Sequence, residues 1–514
     1  MILISHLNNK PIDVVKKGVK LNFKNGSLSS LLFEIAELYP SELIIWCHYD
    51  LQKSLNIESL SEIFQHSLIM ASFSTSHTFV IPKTIGYVEQ VSPFININFK
   101  VKYPTWRMSS DVGGINTDVI NQIKNKVAND SDFDYFLNSI AKISMPNGLF
   151  CYSEPRLLQI NSTVLEKKEL SNFKLFKFVK QHYKLRWLLI LNFNFLIYEK
   201  KLTAFPFLKA LFLKNRTTKI DFNNIKITST DSGAPKLMDV VIPTIGREKY
   251  LFDVLKDLNN QTIPPKNVIV IEQNTNKNAV SELDYLKNNT WNFVVKHEFI
   301  HQSGACNARN IALQKVDSNW VFFADDDIRI KPDFIEKSFD IINKLKADAI
   351  TVSCLLENEV EINKFPFQWP AFGSGCSIVN IKNANKRKFD MGFEHGFGED
   401  ADFGMQLRNQ GVDVIYVPSI KLLHLKAPMG GFRTKFIQQW EKESLQPKPS
   451  PTIMLYNEKY NSKEQLLGYK TLLFFKFYRI QDVKNPFKYL IMMKNRWEIS
   501  KNWSKTLQNN TDEL

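Results

Sequence analysis

Short apolar runs alternate with longer amphipathic stretches in the second half of the chain, from about Met238 to His424. Apolar runs bounded by polar residues predict buried strands, and apolar residues that recur every three or four positions predict helices. This alternation is typical of a mostly parallel α/β sheet, whose ligands bind beyond the carboxyl ends of the strands. Strands are predicted at 240–242, 267–271, 293–297 and 320–324, and helices near 249–260, 280–288 and 305–315.

A further helix and strand follow in the same region. Phe403 and Leu407 lie four residues apart on one face of the predicted helix, and Gly411 is placed to end it. The next strand is predicted at 412–417, and His424 follows it. Polar residues just after these strands are therefore in the right places for a site.

The first 165 residues also have α/β character, with an apolar run at 43–47 and a glycine-containing loop at 106–114. Two other tracts, 174–216 and 469–497, alternate basic residues with bulky apolar ones. That pattern suits helices lying in an anionic membrane surface. It also suits ordinary amphipathic helices that pack on the α/β domains and leave their lysines solvated.

Length, charge and cysteine content exclude some classes of protein but do not identify the function. The chain has 514 residues and a formal net charge of +14, which indicates two or more domains and favours an anionic partner. The five cysteines are scattered and form no C-x-x-C pair, which argues against a disulfide framework and fits a reducing cytoplasm. We recognise no signal peptide, and no run reaches the ~18 apolar residues of a spanning helix.

Three consecutive acids, Asp325, Asp326 and Asp327, follow the strand predicted at 320–324. Carboxylates in this position are costly unless they are solvated, paired or bound to a cation. Mg²⁺ and Mn²⁺ prefer oxygen ligands, and such ions usually take one or two carboxylates plus substrate phosphates. The alternative is an acidic turn ahead of the next helix.

A second acidic pair, Glu399 and Asp400, lies at the predicted start of the helix that carries Phe403. The helix dipole there favours an ionised carboxylate, which is the form that a general base needs. Simple N-capping by an acid is the alternative. His424, which lies between leucines, is either a packed group or a neutral imidazole that binds a metal.

Two other segments could face a nucleotide. The loop at 241–247 ends a strand with proline, a small polar residue, glycine and arginine. The segment 304–310 enters a helix, and its amides and Arg309 could bind a diphosphate. An ordinary strand-to-helix loop and a surface arginine are the alternatives.

In their order and spacing these segments resemble inverting glycosyltransferase family 2, whose domain has the GT-A fold, a Rossmann-like mixed sheet flanked by helices. Glu272 matches the family's acid after the second strand, although the family usually has Asp-Asp where this chain has Glu-Gln. The other matches are the opening loop at 240–247, the A-R-N stretch at 308–310, the D-x-D motif at Asp325 and Asp327, the acceptor-side loop at 372–375, the E-D motif at Glu399 and Asp400, and the late histidine, His424.

The resemblance implies a metal-dependent transferase of the hexosyltransferase type. Asp400, together with Glu399, would serve as general base in a single displacement that inverts the anomeric carbon. The acceptor would be a glycan or a lipid-linked glycan in bacterial surface-polysaccharide synthesis. Asp325, Asp327 and His424 would bind Mn²⁺ or Mg²⁺, and the nucleotide-sugar donor, a UDP-sugar, would contact Pro243, Thr244, Arg247, Glu272, Gly304, Arg309, Asp325 and Asp326.

The predicted organisation has four parts. Residues 1–165 form an α/β domain that is either a degenerate glycosyltransferase-like domain or a docking domain. Residues 166–236 form a basic aromatic helical segment with a linker, and 237–432 form the GT-A catalytic domain. Residues 433–514 form a helical basic region that associates with a membrane. The expected location is the cytoplasm, peripheral on the inner face of the cytoplasmic membrane.

Three other classes of function compete with this prediction. A nucleic-acid-binding protein would need a recognisable docking module, and the acidic clusters would repel phosphates, so no nucleic-acid partner is expected. A non-catalytic binding or scaffold protein of GT-A shape would not need the metal acids and the base. A nucleotidyltransferase can share the fold, but the E-D pair and the late histidine favour sugar transfer.

Overall fold

The computed structural model describes residues 1–24, 26–127, 130–159, 162–167, 169–216, 220–227, 236–384, 387–428 and 436–512. The chain divides into two compact units. Unit 1 comprises Met1–Ser229 and Asn461–Leu472, and unit 2 comprises Thr230–Tyr460 and Leu473–Leu514. The linker predicted at 228–236 lies almost entirely outside the described residues. The four predicted domain ranges stay a prediction.

Unit 1 is built on a mixed sheet of eight strands. Its central strands are buried along most of their length, which is why they read as continuous apolar runs in the sequence. The strands are β1 (Ile2–Leu7), β2 (Lys10–Lys16), β3 (Val19–Lys20), β4 (Leu43–His48), β5 (Ile69–Phe73), β6 (Tyr103–Pro104), β7 (Val112–Asn116) and β8 (Phe150–Ser153), in the sheet order β3-β2-β1-β4-β7-β5-β8-β6.

Side-chain caps begin several helices of unit 1. The hydroxyl of Ser27 accepts the amide of Ser30, and the carboxylate of Asp132 accepts the amide of Tyr135. Such caps satisfy amides that have no partner within the helix. The helices are α1 (Leu28–Leu38), α2 (Leu60–Ile63), α3 (Thr117–Ile123), α4 (Phe133–Ser144), α5 (Asn172–His182), α6 (Leu185–Asn194) and α7 (Ala204–Leu211), and a short π-helix, Phe195–Glu199, continues α6.

Unit 2 is built on a mixed sheet of nine strands. The strands are β9 (Met238–Thr244), β10 (Asn267–Gln273), β11 (Val294–Ile300), β12 (Trp320–Ala324), β13 (Ile328–Arg329), β14 (Ala349–Leu355), β15 (Phe367–Gln368), β16 (Cys376–Asn380) and β17 (Val414–His424). The sheet order is β11-β10-β9-β12-β16-β14-β17-β13, with β15 paired to β17. The first strands, β9 to β12, are mutually parallel, so their carboxyl ends meet at one edge.

The helices of unit 2 flank its sheet and form its C-terminal part. α14 begins in unit 1 and ends in unit 2. The helices are α8 (Glu248–Asn259), α9 (Tyr285–Asn288), α10 (Ala305–Leu313), α11 (Phe334–Leu345), α12 (Glu399–Arg408), α13 (Pro451–Tyr460), α14 (Lys463–Tyr478) and α15 (Pro486–Asp512).

A cluster of buried aromatic rings fixes α12 against the end of β12. Phe323 on β12 packs edge-on against Phe403 of α12, with ring centroids 5.6 Å apart. Phe389 stacks on Phe403 at 4.3 Å, and Phe372 lies 5.1 Å from it. Burial of such rings contributes much of the packing energy of a core. The acidic start of α12 is therefore held near the acidic end of β12.

The predicted fold class is confirmed: the chain is α/β, with two mixed sheets, flanking helices and a helical C-terminal region. The helix predicted at 280–288 is wrong in extent, because only Tyr285–Asn288 is helical. The carboxylate of Glu272 accepts the hydroxyl of Ser281 at 2.5 Å and the amide of Glu282 at 3.1 Å, and these bonds hold that segment outside a helix.

The strand predicted at 412–417 is longer than expected. It runs from Val414 to His424, so the histidine is the last residue of β17 rather than a residue beyond it. Among the residues that the model describes, no helix is both long and apolar enough to cross a bilayer.

Candidate functional site

The aspartate run begins where β12 ends. The amide of Asp325 donates to the carbonyl oxygen of Gly375 at 3.2 Å. A Cβ atom on Gly375 would collide with the carboxylate of Asp325. The glycine of the loop at 372–375 is therefore required by the close approach of this carboxylate, not by an unusual backbone conformation.

Asp326 is buried and ties the run to the loop after β9. Its carboxylate accepts the hydroxyl of Thr244 at 2.7 Å and an Arg247 nitrogen at 2.6 Å. Burial raises the pKa of Asp326 to about 6, against the opposing effect of Arg247. Three of the predicted donor-binding residues thus contact one another directly.

Asp327 pairs with the late histidine. His424 Nε2 lies 3.5 Å from one carboxylate oxygen, and the amide of Ala427 donates to the other at 2.9 Å. Burial favours the neutral acid, but these two hydrogen bonds outweigh it and lower the pKa of Asp327. The pKa of His424 is raised by its bond to Asp327. Arg247 also lies 3.2 Å from Asp327.

Asp325 is the accessible member of the run, with 40% of its side chain exposed. An Arg309 nitrogen lies 3.5 Å from its carboxylate. Loss of hydration raises the pKa of Asp325, Arg309 opposes the shift, and the charges of Asp327 and Asp400 add to it. Because the charges of these three acids act on one another, a cation placed between their carboxylates would be stabilised.

The predicted metal ligands consist of two carboxylates and one imidazole, a donor set that fits Mn²⁺ or Mg²⁺. The residue types therefore fit a metal site, but the positions of the three side chains do not form a complete one. Within the described part of the chain, no group of three or more His, Cys, Asp or Glu residues is placed to hold a metal ion. Such ions complete their coordination with substrate phosphates. The metal role of Asp325, Asp327 and His424 stays a prediction.

The acidic pair at the start of α12 has the predicted position. Gly398 precedes the helix with φ +115°, a left-handed conformation that favours glycine. The Ser374 hydroxyl donates to the carboxylate of Asp400. Burial, with the charge of Asp400, raises the pKa of Glu399 to about 7. Close to neutral pH the pair therefore carries fewer than two negative charges.

Glu272 is the last but one residue of β10, and the sheet pairs it with Thr244 at the end of β9. Pro243 pairs with Ile271 in the same ladder. The Glu272 carboxylate lies 2.9 Å from His297 Nε2. Burial alone would raise the pKa of Glu272, but His297 and the hydrogen bonds from 281–282 lower it.

The start of α10 uses its amides within the protein. Gly304, at φ +150°, donates its amide to the side-chain oxygen of Gln273 at 2.7 Å. The amides of Cys306 and Asn307 donate to Glu394 at 3.1 and 2.7 Å. A diphosphate at these first-turn amides would have to displace Glu394. Arg309 remains available, because its Nε has no hydrogen-bond partner among the described residues.

The structure thus brings together the predicted residues at the ends of β9, β10 and β12, with α12 close by. Glu394 is the residue that sequence reasoning missed. Its partners precede it by more than 80 residues, so no local spacing could have indicated it. A cleft of about 500 Å³ adjoins Glu394, and its lining includes Thr275, Ser303 and His395 rather than the aspartate run.

Comparisons with known proteins found one matching family model and several similar solved structures. Residues 239–408 match the family model described as "Glycosyl transferase family 2". No curated protein matches the chain. Among solved structures, S. aureus TarS is 19% identical, with a TM-score of 0.31 and 37% of each chain covered, so the chain spans well under half of that protein. S. aureus TarS 1–349 in complex with UDP-GlcNAc is 17% identical, with a TM-score of 0.36, 50% of this chain and 79% of that chain covered.

Proposed function

We propose, from the premise that residues 239–408 are a glycosyltransferase family 2 domain, that the protein transfers a sugar from a nucleotide-diphosphate donor to an acceptor hydroxyl. The donor is a UDP-sugar, and the acceptor is a glycan or a lipid-linked glycan of a bacterial surface polysaccharide. The observation that carries the proposal is the placement of Asp400, which is bonded to Ser374 and lies close enough to Asp325 for their charges to interact.

Asp400 is the general base. It takes the proton of the acceptor hydroxyl while that oxygen bonds to the anomeric carbon, and the bond from this carbon to the diphosphate oxygen breaks. The bond from Ser374 holds the Asp400 carboxylate in place in the first turn of α12. With one displacement and no covalent intermediate, the anomeric configuration inverts.

The donor lies along the carboxyl edge of β9, β10 and β12. Glu272, already oriented by His297, accepts a hydroxyl of the ribose or an N–H of the base. Pro243 shapes the loop, and Thr244, Arg247 and Asp326 form the wall of the nucleotide site. The guanidinium of Arg309 faces the diphosphate, and the Gly304 amide binds it by exchanging its bond to Gln273.

Asp325, Asp327 and His424 would hold Mn²⁺ or Mg²⁺ together with the donor diphosphate. A bound divalent cation neutralises charge on a leaving diphosphate. Asp325 is accessible for this role, and Asp327 is kept ionised by its partners. Arg247, which contacts Asp327, supplies positive charge to the same site.

The proposal is tested with a panel of nucleotide sugars in Mn²⁺, following thermal stabilisation and product release. A transferase releases the nucleoside diphosphate, whereas release of pyrophosphate would favour a nucleotidyltransferase of similar fold. Asp400→Asn should lower transfer by about a thousandfold or more, as loss of a general base does, and leave nucleotide binding intact. Asp340→Asn, at an exposed carboxylate on α11, is the matched control. Retained turnover in Asp400→Asn would refute its role.

We further propose that unit 1 attaches the protein to an anionic membrane, on the inner face of the cytoplasmic membrane, where a lipid-linked acceptor is available. The outward face of α6 and its π-helical extension is apolar over several turns. A second apolar face follows on α7, and Leu202 and Phe212 are 86% and 87% exposed. The exposed apolar residues are Leu185, Leu189, Phe193, Leu196, Ile197, Leu202, Phe205, Leu208 and Phe212.

The charges of the tract divide into two groups. Lys174 and Lys177 pair with Asp132 and Asp130, so they stabilise unit 1. Lys184, Arg186, Lys200, Lys201 and Lys209 are exposed around the apolar face. Apolar residues surrounded by basic ones are typical of helices that lie in the interface of an anionic bilayer.

Flotation with vesicles tests this attachment. The protein should float with vesicles that contain phosphatidylglycerol and much less with phosphatidylcholine alone, because the basic residues need anionic headgroups. Leu202→Ser with Phe205→Ser and Phe212→Ser should reduce flotation about tenfold. Val280→Ser, at an exposed apolar residue of unit 2, is the control. Equal flotation of all variants would contradict the proposal.

A further inference from the structure

The two sheets share one core of six strands. In unit 1 the order is β1-β4-β7-β5-β8-β6, and in unit 2 it is β9-β12-β16-β14-β17-β15. The strands also follow one another along the chain in the same sequence. Each neighbouring pair has the same direction in both units: parallel, antiparallel, antiparallel, parallel and antiparallel.

The register between neighbouring strands is the same in the two sheets, residue by residue. Cys47 pairs with Val112 at the end of β4, as Ala324 pairs with Cys376 at the end of β12. At the other end of these ladders Leu43 pairs with Asn116, and Trp320 pairs with Asn380. The segments from β6 to β7 and from β15 to β16 have the same length. His48, Tyr49 and Asp50 therefore take the places of Asp325, Asp326 and Asp327.

The loop before β7 repeats the contacts of the loop before β16. The amide of His48 donates to the carbonyl oxygen of Asp111 at 2.7 Å, as the amide of Asp325 donates to that of Gly375. Asp111 thus corresponds to Gly375, and its neighbour Ser110 corresponds to Ser374.

The position of the proposed base is also repeated. Asp134 is the second residue of α4, as Asp400 is of α12. The Ser110 hydroxyl donates to the carboxylate of Asp134 at 2.8 Å, which is the counterpart of the bond from Ser374 to Asp400. Unit 1 therefore keeps a carboxylate, and the hydroxyl that orients it, where unit 2 has its proposed base.

A lysine closes this position in unit 1. Lys167 Nζ lies 2.8 Å from Asp134, 3.0 Å from Asp111 and 3.0 Å from the Ser110 hydroxyl, and only 6% of its side chain is exposed. Burial alone would lower the pKa of Lys167, but the two carboxylates outweigh it and raise the pKa. The ammonium group fills the space in front of the Asp134 carboxylate.

The donor side of unit 1 is changed as well. The parallel strands β10 and β11, which carry Glu272 and His297, have no counterpart among the strands described for unit 1. An antiparallel pair, β2 and β3, lies there instead. A histidine replaces Asp325, and Asp50 is 54% exposed.

We infer that unit 1 is a second glycosyltransferase-like core whose base position has been closed by Lys167, so that the chain has one active site, in unit 2. The buried Lys167–Asp134–Asp111 cluster stabilises unit 1 and takes no part in catalysis. The inference rests on the proposed role of Asp400 for the meaning of the Asp134 position.

A crossed pair of variants of the full chain tests the inference. Asp134→Asn should keep transfer within about twofold of the wild type and lower the melting temperature by several degrees, because it leaves the buried ammonium of Lys167 with only one of its two carboxylate partners. Asp400→Asn should instead lose transfer and keep the melting temperature close to that of the wild type. Asp134→Asn/Lys167→Gln should recover part of the lost stability, and transfer can be measured in it if the single variant does not fold.

Titration with UDP in Mn²⁺ gives a second readout. The wild type should bind one equivalent of UDP, and Asp134→Asn should bind the same. Binding of two equivalents, or loss of transfer in a folded Asp134→Asn variant, would overturn the inference. Failure of the proposed function looks different: the wild type would then turn over no nucleotide sugar, whatever the state of Asp134.

Discussion

The two acidic centres of the molecule differ in what neutralises them. In unit 1, Asp134 and Asp111 contact a buried lysine of the same chain. In unit 2, Asp325 stays 40% exposed beside an arginine at 3.5 Å, and Asp400 is bonded to a serine hydroxyl. An internal cation completes the first centre, whereas the second is open to a cation and a substrate. The same backbone core can therefore carry a structural cluster or, as we propose for unit 2, a reactive one.

Glycine and aspartate exchange places between the two centres. In unit 2, Gly375 leaves room for the Asp325 carboxylate, with which a Cβ would collide. In unit 1 the corresponding residues are Asp111 and His48, and the Asp111 carboxylate accepts the amide and the hydroxyl of Thr75 instead. In unit 2 the acid, Asp325, follows the strand and the glycine lies in the facing loop, whereas in unit 1 the acid, Asp111, lies in the facing loop. The two replacements therefore compensate for each other in volume and charge.

Asp327→Ala should have the largest effect among the variants that sharpen this comparison. It removes the carboxylate that His424 and the amide of Ala427 hold ionised, so Mn²⁺-dependent UDP binding should fall by about a hundredfold or more. The measurement is calorimetric titration of UDP with and without Mn²⁺.

Asp50→Ala, at the corresponding place in unit 1, is the matched control and should change UDP binding by less than about twofold. Equal losses in the two variants would mean that unit 1 also binds nucleotide, and the contrast between the two centres would fail.

Ser374→Ala should have an intermediate effect. Without its hydrogen bond the Asp400 carboxylate is less well oriented, so kcat should fall about tenfold, the equivalent of a charge-assisted hydrogen bond, while the KM for the donor stays nearly constant. Steady-state kinetics measures this split.

Ser110→Ala is the counterpart in unit 1. It should lower the melting temperature by a few degrees and leave kcat unchanged, because Ser110 bonds only within the Lys167 cluster and its own unit. A loss of kcat in Ser110→Ala would show that unit 1 contributes to transfer.

Local patterns were sufficient to predict the ends of β12 and α12. A buried apolar run followed by acids, and an acidic pair ahead of Phe403, both depend on neighbours in sequence, so Asp325–Asp327 and Glu399–Asp400 were placed correctly at those ends. The α/β class followed from the same periodicity.

Contacts between distant segments could not be predicted in this way. The false extension of α9 arose because Glu272 holds Ser281, and Glu394 reaches the start of α10 from a loop far along the chain. For the same reason the sequence could not decide between a degenerate glycosyltransferase-like domain and a docking domain for residues 1–165, because Asp111 and Asp134 match their counterparts by sheet register and not by motif.

Glu399→Gln should have the smallest effect, which is a change in how thermal stability depends on pH. Phe133 occupies the corresponding place in unit 1, so this second carboxyl belongs to unit 2 alone. The pKa of Glu399 is raised from its ordinary value of 4.5 to about 7 by burial and by Asp400. The folded state therefore favours the protonated acid. That contribution to stability is fully present below pH 4.5 and is lost as the pH rises through 7.

The melting temperatures of the wild type and Glu399→Gln should therefore agree most closely at about pH 4.5 and differ by about 2 °C in favour of the variant at about pH 8. The difference should develop mainly between pH 4.5 and pH 7, because over this range the unfolded chain has released the Glu399 proton while the folded protein still holds it. Scanning calorimetry across this range measures it. A difference that stays constant with pH would mean that Glu399 is ionised throughout, and that the charge of Asp400 is compensated by some group other than this neighbouring acid.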